Sequence, residues 1–339
     1  MNIKKVLVAN RGEIAIRIFR ACTELRITTV GVYTYEDRYS LHRYKADESY
    51  QIGRDEDAIK PYLDMDTIIA VAKRYGADAI HPGYGFLSEN QAFAQKCLDQ
   101  GIIFIGPKPE VLQSLGDKII AKRVAIDNDI PIIQSNIDPL INIETALSEA
   151  ERIGYPLMLK AASGGGGRGM RVIRTAEELG KAYPESKREA KNAFGDDTVF
   201  LEKYVQNPKH IEIQIVADNY GHTVHLYERD CSVQRRYQKV IEFAPSYDVP
   251  QDILDQLYMY AVKITKAVQY NNVGTVEFLL DEDGSIYFIE VNPRIQVEHT
   301  VTEMVTGIDL IKTQIFIAAG FKLADDRIGI PNQSSVSVR

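Results

Sequence analysis

The most informative segment of this chain is Glu290-Val291-Asn292-Pro293-Arg294-Ile295-Gln296-Val297-Glu298-His299. In an extended strand successive side chains point to opposite faces, so the polar residues of this segment share one face. That face carries Glu290, Asn292, Arg294, Gln296 and Glu298. The opposite face carries Val291, Pro293, Ile295 and Val297, which suit a core. Alternation alone favours an edge strand with a solvated face, so a second feature is needed to indicate a site.

That second feature is Glu277, in the preceding predicted strand Thr275–Leu279. A hairpin-like return through Asp283-Gly284 brings Glu277 opposite Glu290. Two carboxylates and an amide oxygen at close range repel one another unless a cation lies between them. The arrangement therefore predicts a site for Mg²⁺ or Mn²⁺ that bridges nucleotide phosphates, with Glu277, Glu290 and Asn292 as oxygen ligands.

A glycine-rich segment, Lys160–Met170, contains five glycines together with Lys160 and Arg168. Glycines at this density expose backbone N–H groups that can approach an anion closely, and the two cations add charge. The segment is not a Walker loop, because Met170 stands where the lysine would be. A flexible hairpin between two strands is the alternative. Five glycines beside two cations favour phosphate binding over that alternative.

The first third of the chain alternates short apolar runs with amphipathic stretches, which predicts a parallel, doubly wound sheet. The predicted strands are Val6–Ala9, Thr28–Tyr33, Ala77–Ile80 and Ile102–Ile105. The turn after the first strand has one glycine, so no dinucleotide site is expected there. His81–Glu89 follows a strand and contains two glycines, a proline and two aromatic residues. It is either a ligand loop at the carboxyl end of the sheet or a tight turn with aromatic residues packed beneath it.

The remainder of the chain indicates further units. We expect four regions: residues 1–115 as a doubly wound α/β domain, 116–130 as a helical connector, 131–204 as a small α+β subdomain with the glycine-rich loop, and 205–339 as a largely antiparallel subdomain. In the last region Ile211, Ile213 and Ile215 alternate with other residues, which predicts a sheet with one wetted face. Its Glu228–Lys239 segment is a local basic patch, or else a salt-bridged surface loop.

Composition limits the classes of function. The chain has 339 residues, 45% hydrophobic and 26% charged, with a net charge of −7. These values are typical of a soluble globular protein, and the acidic balance argues against nucleic acid or an acidic membrane surface as the main partner. Cys22, Cys97 and Cys231 lack paired spacing, so we expect three reduced, buried thiols. No signal pattern or membrane-spanning apolar run is present, which predicts a cytoplasmic chain.

Taken together, these segments resemble the ATP-grasp superfamily, and within it the biotin carboxylases. The matching segments are Val8–Ala15, His81–Asn90, Lys160–Met170, Glu228–Lys239 and Glu290–Thr300, in the family's order. The resemblance implies an ATP-grasp fold preceded by a Rossmann-like pre-ATP-grasp domain. Within the family, Leu41–Ser49 is more similar to the biotin carboxylase domain of bacterial pyruvate carboxylases than to the acetyl-CoA carboxylase subunit.

The resemblance also implies an activity. In these ligases ATP phosphorylates bicarbonate to carboxyphosphate, which breaks down to CO₂ and phosphate, and the CO₂ carboxylates biotin on a carrier domain. Glu298 would be the general base, with Arg294 and Lys239 as the other catalytic residues. Bicarbonate would be bound by Lys239, Arg294, Gln296 and Val297. The metals would be held by Glu277 and Glu290, with Asn292.

The resemblance implies a nucleotide site as well. Lys118 and Lys160 would touch ATP phosphates beneath a lid formed by Gly164, Gly165, Gly166 and Gly167. Glu202 and the backbone at Lys203 would hold the adenine, with His210 and Gln234 near the ribose and phosphates. The full set of expected ATP-binding residues is Lys118, Lys160, Gly164, Gly165, Gly166, Gly167, Met170, Glu202, Lys203, His210 and Gln234. Tyr237 stands where the family has histidine.

The partners implied are a biotinylated carrier domain, a carboxyltransferase domain and a second or further copies of the chain, as dimers or tetramers. The family's domain extends roughly another hundred residues beyond Arg339, within the usual size of a domain. We therefore expect this chain to be part of a longer enzyme and to bind nucleotide better than it turns over. The alternatives are the biotin carboxylase of an acetyl-CoA or acyl-CoA carboxylase, a carbamoyl-phosphate-forming enzyme, and a nucleotide-binding regulatory module without catalysis.

Overall fold

The computed structural model describes residues 2–54, 57–116, 118–136, 138, 140–162 and 170–324. The side chains of Lys118, Ile119 and Phe194 fall outside this description, although their backbones belong to helices. The expected lid residues Gly164–Gly167 also lie outside the described residues, as does the chain from residue 325 onward.

The first sheet is parallel, as predicted. Its strands are β1 (Lys5–Val8), β2 (Thr28–Tyr33), β3 (Glu48–Gln51), β4 (Ala79–His81) and β5 (Ile103–Phe104), in the order β3-β2-β1-β4-β5. Its helices are α1 (Gly12–Glu24), α2 (Leu41–Lys45), α3 (Met65–Arg74) and α4 (Gln91–Asp99), and short 3₁₀ turns cover Glu36–Tyr39 and Lys60–Leu63. Val6 and Val8 pack with α1, whereas Leu7 packs with α3 and α4 on the other face. The sheet is therefore doubly wound.

The loops after β1 and β4 meet where the strand order reverses, which is where open α/β sheets bind ligands. Asn10 Nδ2 donates to the carbonyl oxygens of Pro82, at 2.7 Å, and Tyr84, at 2.8 Å. The His81–Glu89 segment is thus a tight turn held from beneath by one amide. Tyr84 and Glu89 also line the large cavity described below, so the segment combines features of both interpretations.

A smaller antiparallel sheet follows two linking helices, α5 (Pro109–Gly116) and α6 (Lys118–Asp127). Its elements are α7 (Ile143–Ile153), β6 (Leu157–Ala161), β7 (Arg171–Ile173), α8 (Ala176–Phe194) and β8 (Val199–Lys203), and the strand order is β7-β6-β8. Helices α7 and α8 cover one side of this sheet, and the helices and strands share a separate hydrophobic core. The division of the chain at residues 115, 130 and 204 stays a prediction.

The third sheet is antiparallel and provides most of the site. Its elements are β9 (Lys209–Ala217), β10 (Thr223–Arg235), β11 (Gln238–Phe243), α9 (Gln251–Ala267), β12 (Asn272–Leu280) and β13 (Ile286–Asn292), followed by α10 (His299–Thr306) and α11 (Leu310–Ala318). The strand order is β11-β10-β9-β12-β13. Among the described residues, the sheet is covered on one face by α5, α6 and α9, whose apolar side chains pack against Ile211, Ile213 and Ile215.

The expectation of one wetted face is wrong for this sheet. In β9, Glu212, Gln214 and Val216 are at most 1% exposed, although they alternate with the isoleucines that face α9. The second face is covered because α1 and α11 pack on its far end, through a core that includes Val216 and Val273. Its polar residues are buried together in the site. Period-two alternation identified the strand but not what covers its second face.

The three cysteines are buried free thiols, as expected. No helix in the described part of the chain has the length and apolar character needed to cross a membrane.

Candidate active site

A cavity of about 1140 Å³ lies where the three sheets meet. The first sheet contributes Tyr84 and Glu89 to its wall, and the small sheet contributes Lys160, Met170 and Glu202. The third sheet and the segment after it contribute the largest group of polar side chains. Most of the residues that the sequence singled out therefore line a single space.

Lys239 is the centre of that polar group. It projects from β11, and its Nζ lies 3.1 Å from Glu277 Oε1 and 2.9 Å from Glu298 Oε1, and also pairs with Glu212. Burial lowers the pKa of Lys239, but the carboxylates of Glu277 and Glu212 more than offset this and raise it above its usual range. Lys239 therefore carries its charge into a largely buried cluster of acidic groups.

The predicted pairing of Glu277 with Glu290 is confirmed by the register of β12 and β13. Glu277 is 3% exposed and accepts hydrogen bonds from Asn292 Nδ2 at 2.6 Å and Gln296 Nε2 at 3.0 Å. His210 Nε2 lies 2.6 Å from its other oxygen. Burial raises the pKa of Glu277, but Lys239 and His210 together hold it well below its usual range.

Repulsion between the carboxylates does not by itself require a metal, because Lys239 and His210 already compensate the charge of Glu277. The donor set still fits a hard cation: two carboxylates and an amide oxygen lie on paired strands at the cavity wall. A second cluster, Glu212, Cys231 and Glu298, has ligand atoms within 4.8 Å of one another. It is less suited to a metal, because burial raises the pKa of the Cys231 thiol and so disfavours the thiolate that would bind a metal.

The predicted strand from residue 290 to 298 is wrong beyond Asn292, where β13 ends. The chain then bends and turns into α10, so Gln296 is 3% exposed and Val297 61% exposed, the reverse of the predicted faces. The turn nevertheless leaves Asn292, Arg294, Gln296, Val297 and Glu298 at the cavity. They converge because the chain folds back on itself, and not because they share a strand face.

Arg294 connects this turn to the first sheet. Its Nε donates to Glu89 Oε1 at 2.7 Å, and its terminal nitrogen donates to Asn292 Oδ1 at 3.0 Å. The side chain is 24% exposed, so it remains accessible to an anion in the cavity. Glu89 was not among the predicted site residues, and only its place in the loop after β4 pointed to it.

The opposite wall carries Lys160, Met170, Glu202 and Lys203 of the expected nucleotide residues. The Glu202 carboxylate is 4% exposed and pairs with both Lys160 and Lys122. Burial alone would raise its pKa, but the two lysines lower it to about 2. The backbone N–H of Lys203 donates to the carbonyl of Gln134 at 2.8 Å. The Glu202 carboxylate and the Lys203 N–H are thus engaged by protein groups in this structure, and the adenine contacts expected at Glu202 and at the Lys203 backbone stay a prediction.

His210 and Gln234 lie between the two walls. Gln234 Nε2 is 2.7 Å from His210 Nδ1 and donates to the carbonyl of Cys231 at 2.9 Å. Burial lowers the pKa of His210, but Glu277 more than offsets this, so its pKa is raised. Both ring nitrogens are engaged by protein groups, so His210 orients Glu277 in this structure. Lys118 begins α6, and its side chain is outside the described part of the structure.

Besides Glu89, three residues of this region were not predicted from the sequence: Lys122, Glu212 and Arg229. The alternative of a surface loop for Glu228–Lys239 is wrong for its first half, because Arg229 lies in β10 and is 0% exposed. No local signal distinguishes these residues from ordinary charged surface residues. Their partners lie 13 to 80 positions away in the chain.

Two protein-family models match the chain. The model "Biotin carboxylase, N-terminal domain" matches residues 2–112, and "Carbamoyl-phosphate synthase L chain, ATP binding domain" matches residues 117–326. The second covers more than half of the chain. Fold and site together therefore define an ATP-binding enzyme of the ATP-grasp class.

Solved structures narrow this class. The Campylobacter jejuni biotin carboxylase, solved as a β,γ-ATP complex, is 44% identical with a TM-score of 0.93, over 99% of this chain and 74% of that one. The biotin carboxylase domain dimer of Hydrogenobacter thermophilus 2-oxoglutarate carboxylase, solved with MgADP, ADP and bicarbonate, is 49% identical with a TM-score of 0.92, over 95% and 71%. The chain belongs to the biotin carboxylase family.

A longer protein is similar to this chain over part of its own length. Pyruvate carboxylase of Bacillus subtilis is 54% identical over 335 residues, which is 99% of this chain and 29% of that enzyme. The chain thus spans less than a third of that relative's length.

Proposed function

We propose that this chain uses ATP, a divalent cation and bicarbonate to carboxylate biotin presented by a separate carrier domain, with carboxyphosphate as intermediate. The observation that carries the proposal is the position of Lys239 Nζ, 2.9 Å from Glu298 and 3.1 Å from Glu277, beside Arg294 and Gln296. A proton acceptor, two cations and an amide thus surround one end of a cavity whose other end carries Lys160.

Glu298 is the general base in this proposal, and Lys239 and Arg294 bind bicarbonate with Gln296 and the backbone at Val297. Lys239 holds the Glu298 carboxylate at the cavity wall, where it can accept a proton from bicarbonate within hydrogen-bond reach. Arg294 has a planar fork suited to a carbonate-like anion, and Glu89 and Asn292 fix its orientation.

The cation would be Mg²⁺ or Mn²⁺, held by Glu277, Glu290 and Asn292. A cation at this wall supplies charge neutralisation for the transferred phosphoryl group. Lys160 would face the phosphates, together with Lys118 and the glycine lid Gly164–Gly167. Met170, Lys203, His210 and Gln234 line the same space or lie at its edge. Glu202 would hold the adenine together with the backbone at Lys203, and its ion pair with Lys160 also positions that lysine.

The parent enzyme proposed is a pyruvate carboxylase, which forms oxaloacetate from pyruvate through a carboxyltransferase domain and assembles as a dimer or tetramer in the cytoplasm. The 54% identity to the Bacillus subtilis enzyme supports this choice. The substrate that finally accepts the carboxyl group is selected by a domain outside this chain, so an acyl-CoA carboxylase remains the alternative. Carbamoyl-phosphate formation is disfavoured by the match of residues 2–112 to the biotin carboxylase model.

The test is ADP formation from MgATP, titrated with bicarbonate, with and without free biotin, on this chain and on the full-length enzyme that contains it. We expect bicarbonate-dependent cleavage that biotin accelerates and ammonia does not. Glu298→Gln should lower this rate by roughly 10²- to 10⁴-fold. Glu282→Gln is the matched control, since Glu282 is exposed at the β12–β13 turn. Bicarbonate-independent cleavage in both proteins, or a Glu298→Gln variant with normal turnover, contradicts the proposal.

A further inference from the structure

Arg229 is a buried arginine whose five N–H donors are all used. From β10, Nε donates to Glu212 at 2.5 Å. One terminal nitrogen donates to Gln214 at 2.8 Å and to Thr302 at 2.7 Å. The other donates to Thr275 at 3.3 Å and to Gln296 at 2.9 Å. A guanidinium has five N–H donors, so this one is fully satisfied.

Two of these five acceptors connect Arg229 to the proposed bicarbonate site: Gln296 belongs to that site, and Glu212 supports it. Gln296 accepts from Arg229 through Oε1, and this leaves its Nε2 to donate to Glu277 at 3.0 Å. A side-chain amide keeps its shape when its oxygen and nitrogen exchange places. A cationic donor on one side therefore decides whether the oxygen or the nitrogen faces the cavity. Arg229 therefore orients the Gln296 amide.

The second link runs through Glu212. One oxygen of this fully buried carboxylate binds Arg229 and the other binds Lys239. Lys239 in turn contacts Glu277 and Glu298. Without Arg229, Glu212 would be a buried carboxylate balanced by Lys239 alone and would draw Lys239 away from Glu298. Arg229 lets Glu212 hold Lys239 from behind while Lys239 still reaches the base.

We propose that Arg229 is a positioning residue for the bicarbonate step: it fixes the amide orientation of Gln296 directly and the place of Lys239 through Glu212. The inference rests on the proposed function, because Gln296 and Lys239 matter only if an anion binds beside Glu298. The competing role is purely structural, in which Arg229 fastens α10 to the sheet through Thr302. The positioning role predicts a change in the KM for bicarbonate alone, whereas the structural role predicts an equal change for bicarbonate and MgATP.

The decisive variant is Arg229→Lys, which keeps the charge but cannot reach the five acceptors at once. We expect the KM for bicarbonate to rise about tenfold to a hundredfold, while the KM for MgATP changes less than about twofold. Thr302→Val is the matched control, because it removes one Arg229 contact on the helix side. It should lower the Tm slightly and leave the KM for bicarbonate unchanged. An unchanged bicarbonate KM in Arg229→Lys, or an equal rise for both substrates, overturns the inference.

A second variant covers the case in which Arg229→Lys does not fold. Gln296→Met removes the acceptor but leaves Arg229 in place, and it should reproduce the rise in the bicarbonate KM. Where Arg229→Lys does fold, a double-mutant cycle should show that it raises the bicarbonate KM less in the Gln296→Met background than in the wild type, because the Gln296 amide is one of its two routes to the site. A Gln296→Met variant with a normal bicarbonate KM overturns the inference.

A readout without turnover separates this inference from the proposed function. In ¹⁵N spectra the side-chain amide of Gln296 should exchange slowly, and its signal should shift in Arg229→Lys but not in Thr302→Val. If the wild-type chain and its full-length enzyme show no bicarbonate-dependent cleavage, the proposed function fails whatever the amide does. If cleavage is normal but the Gln296 amide is unaffected by Arg229→Lys, the positioning role fails alone.

Discussion

The buried triad of Lys122, Glu202 and Lys160 yields a quantitative prediction about stability. Lys122 lies on α6 and Glu202 on β8, so their ion pair ties a linking helix to the small sheet. Lys122→Met removes the charge but preserves the aliphatic stem, and the Lys122 Nζ lies over the Phe200 ring at 4.7 Å. The variant therefore isolates the charge of Lys122.

The magnitude follows from the pKa of Glu202, which is about 2 instead of 4.5. At about 1.4 kcal/mol per pKa unit, the two lysines stabilise the ionised form by a net amount of about 3 kcal/mol, after the cost of burying the carboxylate is offset. Lys160 remains in the variant, so the share of Lys122 is about 1–2 kcal/mol. Because the pKa is depressed by folding, this contribution is present above about pH 4.5 and is lost as the pH falls towards 2.

The assay is urea unfolding at pH 7, with hydrogen exchange of β8 as a local readout. Lys181→Met is the matched control, because its ion pair with Glu177 has side chains 76% and 81% exposed and should contribute less than about 0.5 kcal/mol. The same Lys122→Met change in a Glu202→Gln background should cost almost nothing. A loss of equal size in both backgrounds, or no loss in either, would refute the charge-pairing argument.

Three further predictions concern packing, protonation and the site. Gly274→Ala should destabilise the chain by about 2–3 kcal/mol in the same urea assay, because its Cβ would lie 2.0 Å from Tyr270 Oη. Gly180→Ala in α8 has open space and should stabilise by up to about 1 kcal/mol, so equal effects of the two changes would contradict the packing argument. His81 is fully buried and its pKa is lowered to about 3, so its ring should stay neutral in histidine NMR titrations to about pH 4. Since an unfolded histidine titrates near 6.5, this residue should cost roughly 2 kcal/mol of stability between pH 6.5 and 5, and a ring that protonates near pH 6 would show the burial argument to be wrong. Arg294→Lys cannot hold Glu89 and Asn292 at once and should lower kcat/KM for bicarbonate about tenfold or more in the ADP assay. Lys312→Arg is its control, because Lys312 and its partner Glu24 do not line the cavity, and a normal kcat/KM in Arg294→Lys would remove Arg294 from the anion site.

Much of the fold followed from local pattern. The predicted strand Thr28–Tyr33 matches β2 residue for residue, because β-branched and aromatic residues in that run give a strong local signal. Glu277 pairs with Glu290 as predicted, although the turn at Gly284, with φ +86°, sets only the register from Leu280 to Phe278, and an irregularity between Phe278 and Glu277 shifts the pairing by one residue. Contacts between residues near in sequence are the ones that local chemistry can predict.

The site was only partly predictable, because it depends on contacts between residues that are distant in the sequence. Lys239, Arg294 and Glu298 were expected at the site and do line the cavity. Lys122 and Arg229 were not expected, because an isolated cation in a strand or helix is more often a solvated surface residue. Gln296 was expected on a wet strand face but is buried in a turn, since β13 ends at Asn292.

The amino-acid sequence by itself determined which segments become strands and helices, where the glycine-rich and polar segments stand, and which charged groups are available. These properties depend on periodicity and turn chemistry over a few residues. Only the tertiary structure decided how the charges pair: Glu202 with two lysines, Glu212 with Arg229 and Lys239, and Glu277 with Lys239 and His210. Burial makes each such charge costly alone, so its role depends on partners that distant parts of the chain bring to it.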